Sequence, residues 1–145
     1  MSVAQNTVLL GVTELRDRAA AALAPLEAGD PPVIADVVDS LTPPVLMLLW
    51  GDPWLTPGVQ QRATMGPSVW TARLHVLCVA GRLEPGPGIR VIEGLVDHVV
   101  TRLHADAYTW PLESVSAPRI FDLSGIAYLG ARVGYILPAS VGETA

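Results

Sequence analysis

The sequence predicts an α+β fold: a mixed, mainly antiparallel sheet with two packed helices and a C-terminal β-hairpin. Three observations carry this. Over 69–80, Trp70, Ala72, Leu74, Val76, Cys78 and Ala80 alternate with Thr71, Arg73 and His75, the period of a strand. Over 88–105, Ile89, Ile92, Val96, Val99, Val100 and Leu103 recur every three or four residues, while Arg90, Glu93, Asp97, Thr101, Arg102 and His104 face away, the period of an amphipathic helix. Over 118–137, two strand-like runs flank Ser124-Gly125, which predicts a hairpin.

Taken in order, the chain opens on a helix over 3–25. Ser2 and Gln5 have capping-box spacing, Val8, Val12, Leu15, Ala19 and Leu23 mark one face, Gly11 weakens the element slightly, and Pro25 ends it. Glu14, Arg16, Asp17 and Arg18 are expected to form a solvated face. Residues 33–40 alternate poorly and read as an extended connection; its Asp36 and Asp39 lack the further ligands that a metal site requires. The continuous apolar run over 44–50 predicts a strand covered on both faces, with its prolines at the start.

A long loop is expected over 51–67. Loops of that length in compact domains are typically functional or disordered. Trp50 and Trp54 bracket Gly-Asp-Pro, and either anchor a contact or fold back over the sheet. The run from Glu84 to Gly88 is not a phosphate loop, because Pro85 and Pro87 remove N–H donors and no Gly-Lys-Ser/Thr follows; it is a rigid lead into the helix. Residues 106–111 form a turn with aromatic cover, followed by a linker through Ser116, and the tail from Ala139 is expected to fray. In the last strand, Gly130 and Gly134 share the face of Tyr128, Arg132 and Ile136 and leave room for a neighbouring backbone or the second helix.

The 145 residues fit one domain, 1–145, able to bury its own core. Half the chain is hydrophobic, 16% is charged and the mean hydropathy is +0.41, which implies that some apolar surface ends against a partner or another copy. The longest apolar stretch, Pro43 to Trp50, is far short of the roughly 18 residues of a membrane span. No basic region precedes Val8 to Leu10, so a secretory signal is not expected. The net charge of −5 disfavours general nucleic-acid binding. All nine cations are arginine, a bias that points to a GC-rich genome more than to a mechanism. The lone Cys78 reads as a small buried hydrophobe.

No catalytic pattern emerges. His98 and His104 fall on different sides of their helix, Asp97 and His98 are neighbours that do not face each other, and no Gly-x-Ser-x-Gly elbow is present. Neither an enzymatic role nor a cofactor nor a metal is expected.

Four stretches, LTPPV (41–45), WGDPWLTP (50–57), VLCVAGRLEPGPGI (76–89) and ADAYTWPL (105–112), carry a family likeness. With these the chain resembles the tail terminator (tail completion) proteins of long-tailed bacteriophages, particularly those of phages infecting high-GC actinobacterial hosts. The resemblance implies a hexameric ring that caps the tail tube, ends its polymerisation and joins the tail to the head connector. It implies the major tail tube protein and a head-tail connector or stopper as partners, with DNA passing through the lumen unbound. Location would be the virion neck, and the host cytoplasm during assembly. A net charge of −5 per copy amounts to about −30 over six, which suits such a passage. On this reading the candidate contact residues are Trp50 at the end of the strand and Asp52, Trp54 and Arg62 on the long loop, with Arg73, Arg82 and Arg132 pairing with acids of an adjacent copy. The competing readings are a head-tail stopper or adaptor, a small ligand-binding domain or enzyme, and an interaction module unrelated to phages.

Overall fold

A computed structural model describes residues 9–35, 41–57, 68–81 and 85–141. Its elements are α1 (Val12–Leu23), β1 (Val33–Ile34), β2 (Val45–Pro57), β3 (Ser68–Gly81), α2 (Pro85–His104), β4 (Leu112–Val115), β5 (Arg119–Leu123) and β6 (Ile126–Val141). The fold is α+β, with a mixed and mostly antiparallel sheet in the order β1-β2-β3-β6. β4 and β5 lie end to end along the far side of β6, and among the described strand pairings β1–β2 is the parallel one.

The sheet's two faces have separate fates because side chains alternate along each strand. On one face Leu46, Leu48, Leu74, Val76, Cys78, Val133, Tyr135 and Leu137 meet Leu15, Ala19 and Leu23 of α1 and Leu95, Val99 and Leu103 of α2, forming the main core. On the other, Val45, Met47, Val79 and Tyr128 gather under Leu41 as a second cluster at one end only. Tyr128 fixes that cover: its hydroxyl accepts the Leu41 N–H at 3.0 Å in a buried setting. The remainder of this second face, around Arg73, His75 and Arg132, is at least partly open to solvent.

The helices begin where their backbone donors find partners. Ahead of α1, Ser140 N–H donates to Leu10 O at 2.8 Å, so residues 10–11 lie against β6 and the helix starts only at Val12. The Glu14 carboxylate accepts the Gly11 N–H at 2.8 Å. The expected helix over 3–25 is therefore shorter at the described end, and the Ser2/Gln5 cap lies outside the described residues. α2 starts at Pro85 and not at 88, with both prolines in its first turn, where a missing N–H costs nothing. At Gly88 the helix meets β6 so closely that an added Cβ would stand 2.6 Å from Leu129 Cδ2.

Four further expectations need correction. The strand expected over 44–50 runs on to Pro57, so 51–57 is not loop; a bulge between Trp50 and Leu55 absorbs Gly51 to Trp54, and Leu55–Pro57 rejoin β3 at Trp70–Ala72. Residues 58–67 of the expected loop lie outside the described residues. Part of the 33–40 connection is a strand, β1, while Asp36 and Asp39 are outside the described residues. The linker through Ser116 contains β4, and the tail is paired through Val141, not frayed from Ala139. The hairpin stands, with β6 extending past 137, and its turn has φ of 52° at Ser124 and 84° at Gly125.

The charged side of α1 is less solvated than its sequence suggests. Arg18 Nε donates to Asp106 Oδ2 at 3.2 Å and its guanidinium lies 5.4 Å from the Tyr108 ring centre. Trp110 Nε1 donates to the same carboxylate oxygen at 2.8 Å. Burial raises the Asp106 pKa, but the bonds from Trp110 and Arg18 outweigh it, and the net shift is downward. This network ties α1 to the turn that leads into β4.

Candidate functional site

Three surfaces stand out, one on each flank of the sheet and one on its open face. The first is the edge of β2. Trp50 is opposite Leu74, on the helix-covered face, and packs partly against the main core. Trp54 stacks on it with ring centres 5.4 Å apart and planes 30° from parallel, and remains 44% exposed. Trp50 thus folds back over the sheet, and Trp54 is left accessible above it. Asp52 is exposed in the bulge between them. Among the described residues β1 pairs with β2 at Leu46 and Met47, and no other described strand lies along this edge. Arg62 and Arg82 lie outside the described residues.

The second surface is the open face of the sheet. His75 lies over glycines on both neighbouring strands: an added Cβ at Gly51 would come within 3.0 Å of its ring, and one at Gly134 within 3.2 Å. Gly130 on the same face abuts Cys78 O and the Phe121 ring, so the room left by the β6 glycines goes to a neighbouring strand and two rings, not to α2. Arg73 pairs with Glu113 through Nε and Oε2 at 3.4 Å. An acid for Arg73 is therefore supplied within the chain by β4. The Arg132 side chain is exposed, and among the described residues no ion pair reaches it. Burial first, then Arg132 and Arg73, lower the His75 pKa against the opposing pull of Glu113, so the ring is neutral at pH 7. With Arg119 opposite Gly130 on this side, the face is locally basic on a chain that is acidic overall.

The third surface is a groove between α2 and the β4–β6 flank. It has a volume of about 660 Å³ and is walled by Ile89, Ile92, Val96, Val100, Val115 and Ala131, with Glu93 and Asp97 as its charges. Beside it the outer strands present a stripe of apolar side chains on the helix side: Leu112 is 49% exposed, Val115 43% and Ile120 56%. Sequence reasoning missed both the groove and Glu113. The one-turn spacing of Glu93 and Asp97 was visible, but the opposite wall comes from a segment that reads as a linker.

Two buried groups of the core have raised pKa values. Burial pushes the Cys78 thiol up to about 12, and burial, then the neighbouring Cys78, does the same to Tyr135. Among the described residues no three histidine, cysteine or acidic side chains converge as a metal site would require. Among the described residues no helix is long and apolar enough to cross a membrane. No protein-family model and no curated protein matches the sequence.

Proposed function

We propose that this chain is a structural virion protein, a tail terminator whose hexameric ring caps the phage tail tube, ends tube polymerisation and joins the tail to the head connector. Its chemistry is recognition, not catalysis, and it uses neither cofactor nor metal. The observation that carries the reading is the pair of unlike apolar surfaces on opposite flanks of one sheet: the Trp50/Trp54 stack on β2, and the groove and stripe beside β4 and β5. A small domain whose flanks differ in this way suits contacts that repeat from copy to copy and close a ring. The family-like stretch over 50–57 forms the first of these flanks, which supports a role for Trp54 in contact with the tube or the connector.

The test is the position of the chain in an assembled particle. Reconstruction of virions by electron microscopy is expected to place a ring of this protein between the last tube ring and the head connector. Trp54→Ala is expected to reduce the yield of joined particles by at least tenfold, the effect of losing a half-exposed aromatic anchor. Normal joining by that variant removes Trp54 from the contact, and absence of the chain from the neck refutes the function. A ligand-binding reading has one observation in its favour, the groove's volume of about 660 Å³, which lies within the size range of small-molecule sites. A bound small molecule co-purifying with a monomeric chain would favour it.

A further inference from the structure

Resting on the reading that the chain assembles with its own copies, we propose that the basic open face of one copy docks on the α2 groove of the next, with Arg132 meeting Glu93 and Asp97. The two surfaces match in charge and in character. The groove places its two acids four residues apart on α2, hence on one side of the helix, among Ile89, Val96, Val100 and Val115. The open face places Arg132 beside neutral His75, with Leu49 directly opposite His75 and Ile136 opposite Arg73. The groove therefore holds two acids among apolar side chains, and the open face, with Glu113 spent on Arg73, holds a net positive charge beside Leu49 and Ile136. Arg73 is already neutralised by Glu113, whereas among the described residues no ion pair engages Arg132 or Arg119; of these two, Arg132 is on β6 next to His75 of β3, and Arg119 is on the outer strand β5.

The placement of the two surfaces also decides what kind of assembly results. The open face is on the side of the sheet away from the helices, and the groove is on the helix side. Face on groove uses a different patch on each copy, so a docked pair still offers one free face and one free groove. Such a contact adds copies in one direction and ends only by closing on itself; an isologous dimer would consume both patches at once.

The test uses two full-length variants with opposite defects. Arg132→Glu removes the cation from the face and leaves the acidic groove intact. The double change Glu93→Arg with Asp97→Arg makes the groove basic and leaves the face intact. All three positions are on the surface, and unaltered melting temperatures will establish that folding is retained. Self-association is measured by sedimentation velocity and mass photometry at low salt. The wild-type chain is expected to form closed oligomers, and each variant alone is expected to associate at least about tenfold more weakly. Mixed in equal amounts, the variants should recover assembly, because each face then finds a groove of opposite sign on the other variant. If either variant assembles like the wild type, if the mixture fails to assemble, or if the wild type stays monomeric up to its solubility limit, the docking mode is wrong. Should the chain still occupy the neck of virions in those cases, the terminator function survives and only the face-to-groove contact falls.

Discussion

The packing of the sheet and of α2 can be tested by one chemical change made at three places. Adding a methyl group at Gly130, Gly88 and Gly94 should give three different outcomes. At Gly130 the new Cβ would stand 2.9 Å from Cys78 O and 2.9 Å from Phe121 Cε1. The carbonyl belongs to the β3–β6 ladder, where Val79 pairs with Gly130, so it cannot retreat without loosening that pairing. Overpacking of this kind costs about 2 kcal/mol, or about 7 °C of melting temperature in a chain of this length. At Gly88 the obstacle is Leu129 Cδ2, the end of a side chain that can turn away, and helix propensity offsets the strain, leaving a net change within about 0.5 kcal/mol. At Gly94, in mid-helix, nothing lies within 4 Å of the new Cβ, and the variant should gain about 1 kcal/mol. Urea unfolding followed by tryptophan fluorescence, at one fixed protein concentration, will rank the four proteins. A Gly130→Ala variant as stable as the wild type would refute the register assigned to β3 and β6.

Other consequences concern single groups. Tyr128→Phe strips the buried Leu41 N–H of its acceptor and should cost about 2 kcal/mol in the same unfolding assay. The Cys78 thiol, pushed up to about 12 and fully enclosed, should resist a thiol reagent in the native protein and react within the time of unfolding in denaturant. His75 has a folded pKa below its ordinary 6.5, so the unfolded chain binds the extra proton first. Stability should then be complete above pH 6.5 and fall as the pH drops below it towards the folded value, and His75→Gln should flatten that part of the stability–pH curve. The groups facing that ring are Arg73, Arg132 and Glu113, so the slope should also change in Glu113→Gln.

What the sequence disclosed was what had a period. β3 and α2 were legible because each runs for more than ten residues with one covered side, and the β5–β6 hairpin because Ser124-Gly125 is a turn signal between strand-like runs. β2 was legible only to Trp50. Gly51, Asp52 and Pro53 read as punctuation, whereas in the sheet they form a bulge after which the strand resumes, an event that depends on the partner strand and leaves no local mark. β4 is four exposed residues with no alternation at all, and exists because β6 offers it a ladder. The candidate surfaces followed the same rule. Trp50 and Trp54 were legible as a pair, while their division into a packing ring and an exposed ring was not. The Arg73–Glu113 pair joins residues forty apart in sequence, and the groove joins α2 to β4 and β6, so neither has a signature in any single window.

Neither flank of the sheet is extended by a further described strand, which bears on the proposed meeting of copies. An uncovered edge invites strand-to-strand pairing, which in a chain this apolar leads to open-ended aggregation. Both edges are poorly suited to that use. β2 is broken by its bulge and carries Pro53 within it and Pro57 at its end, each lacking the N–H a ladder needs. The far edge is split into two short strands, with Pro111 before β4 and Pro118 before β5. Backbone pairing is thus obstructed on both flanks, yet exposed apolar side chains remain on both. The proposed contacts between copies would then be made by side chains, whose shape and charge fix one relative orientation, and not by a ladder that tolerates slippage by two residues. A collar that stops after a fixed number of copies requires that kind of contact, since closure depends on the same angle being repeated at every joint.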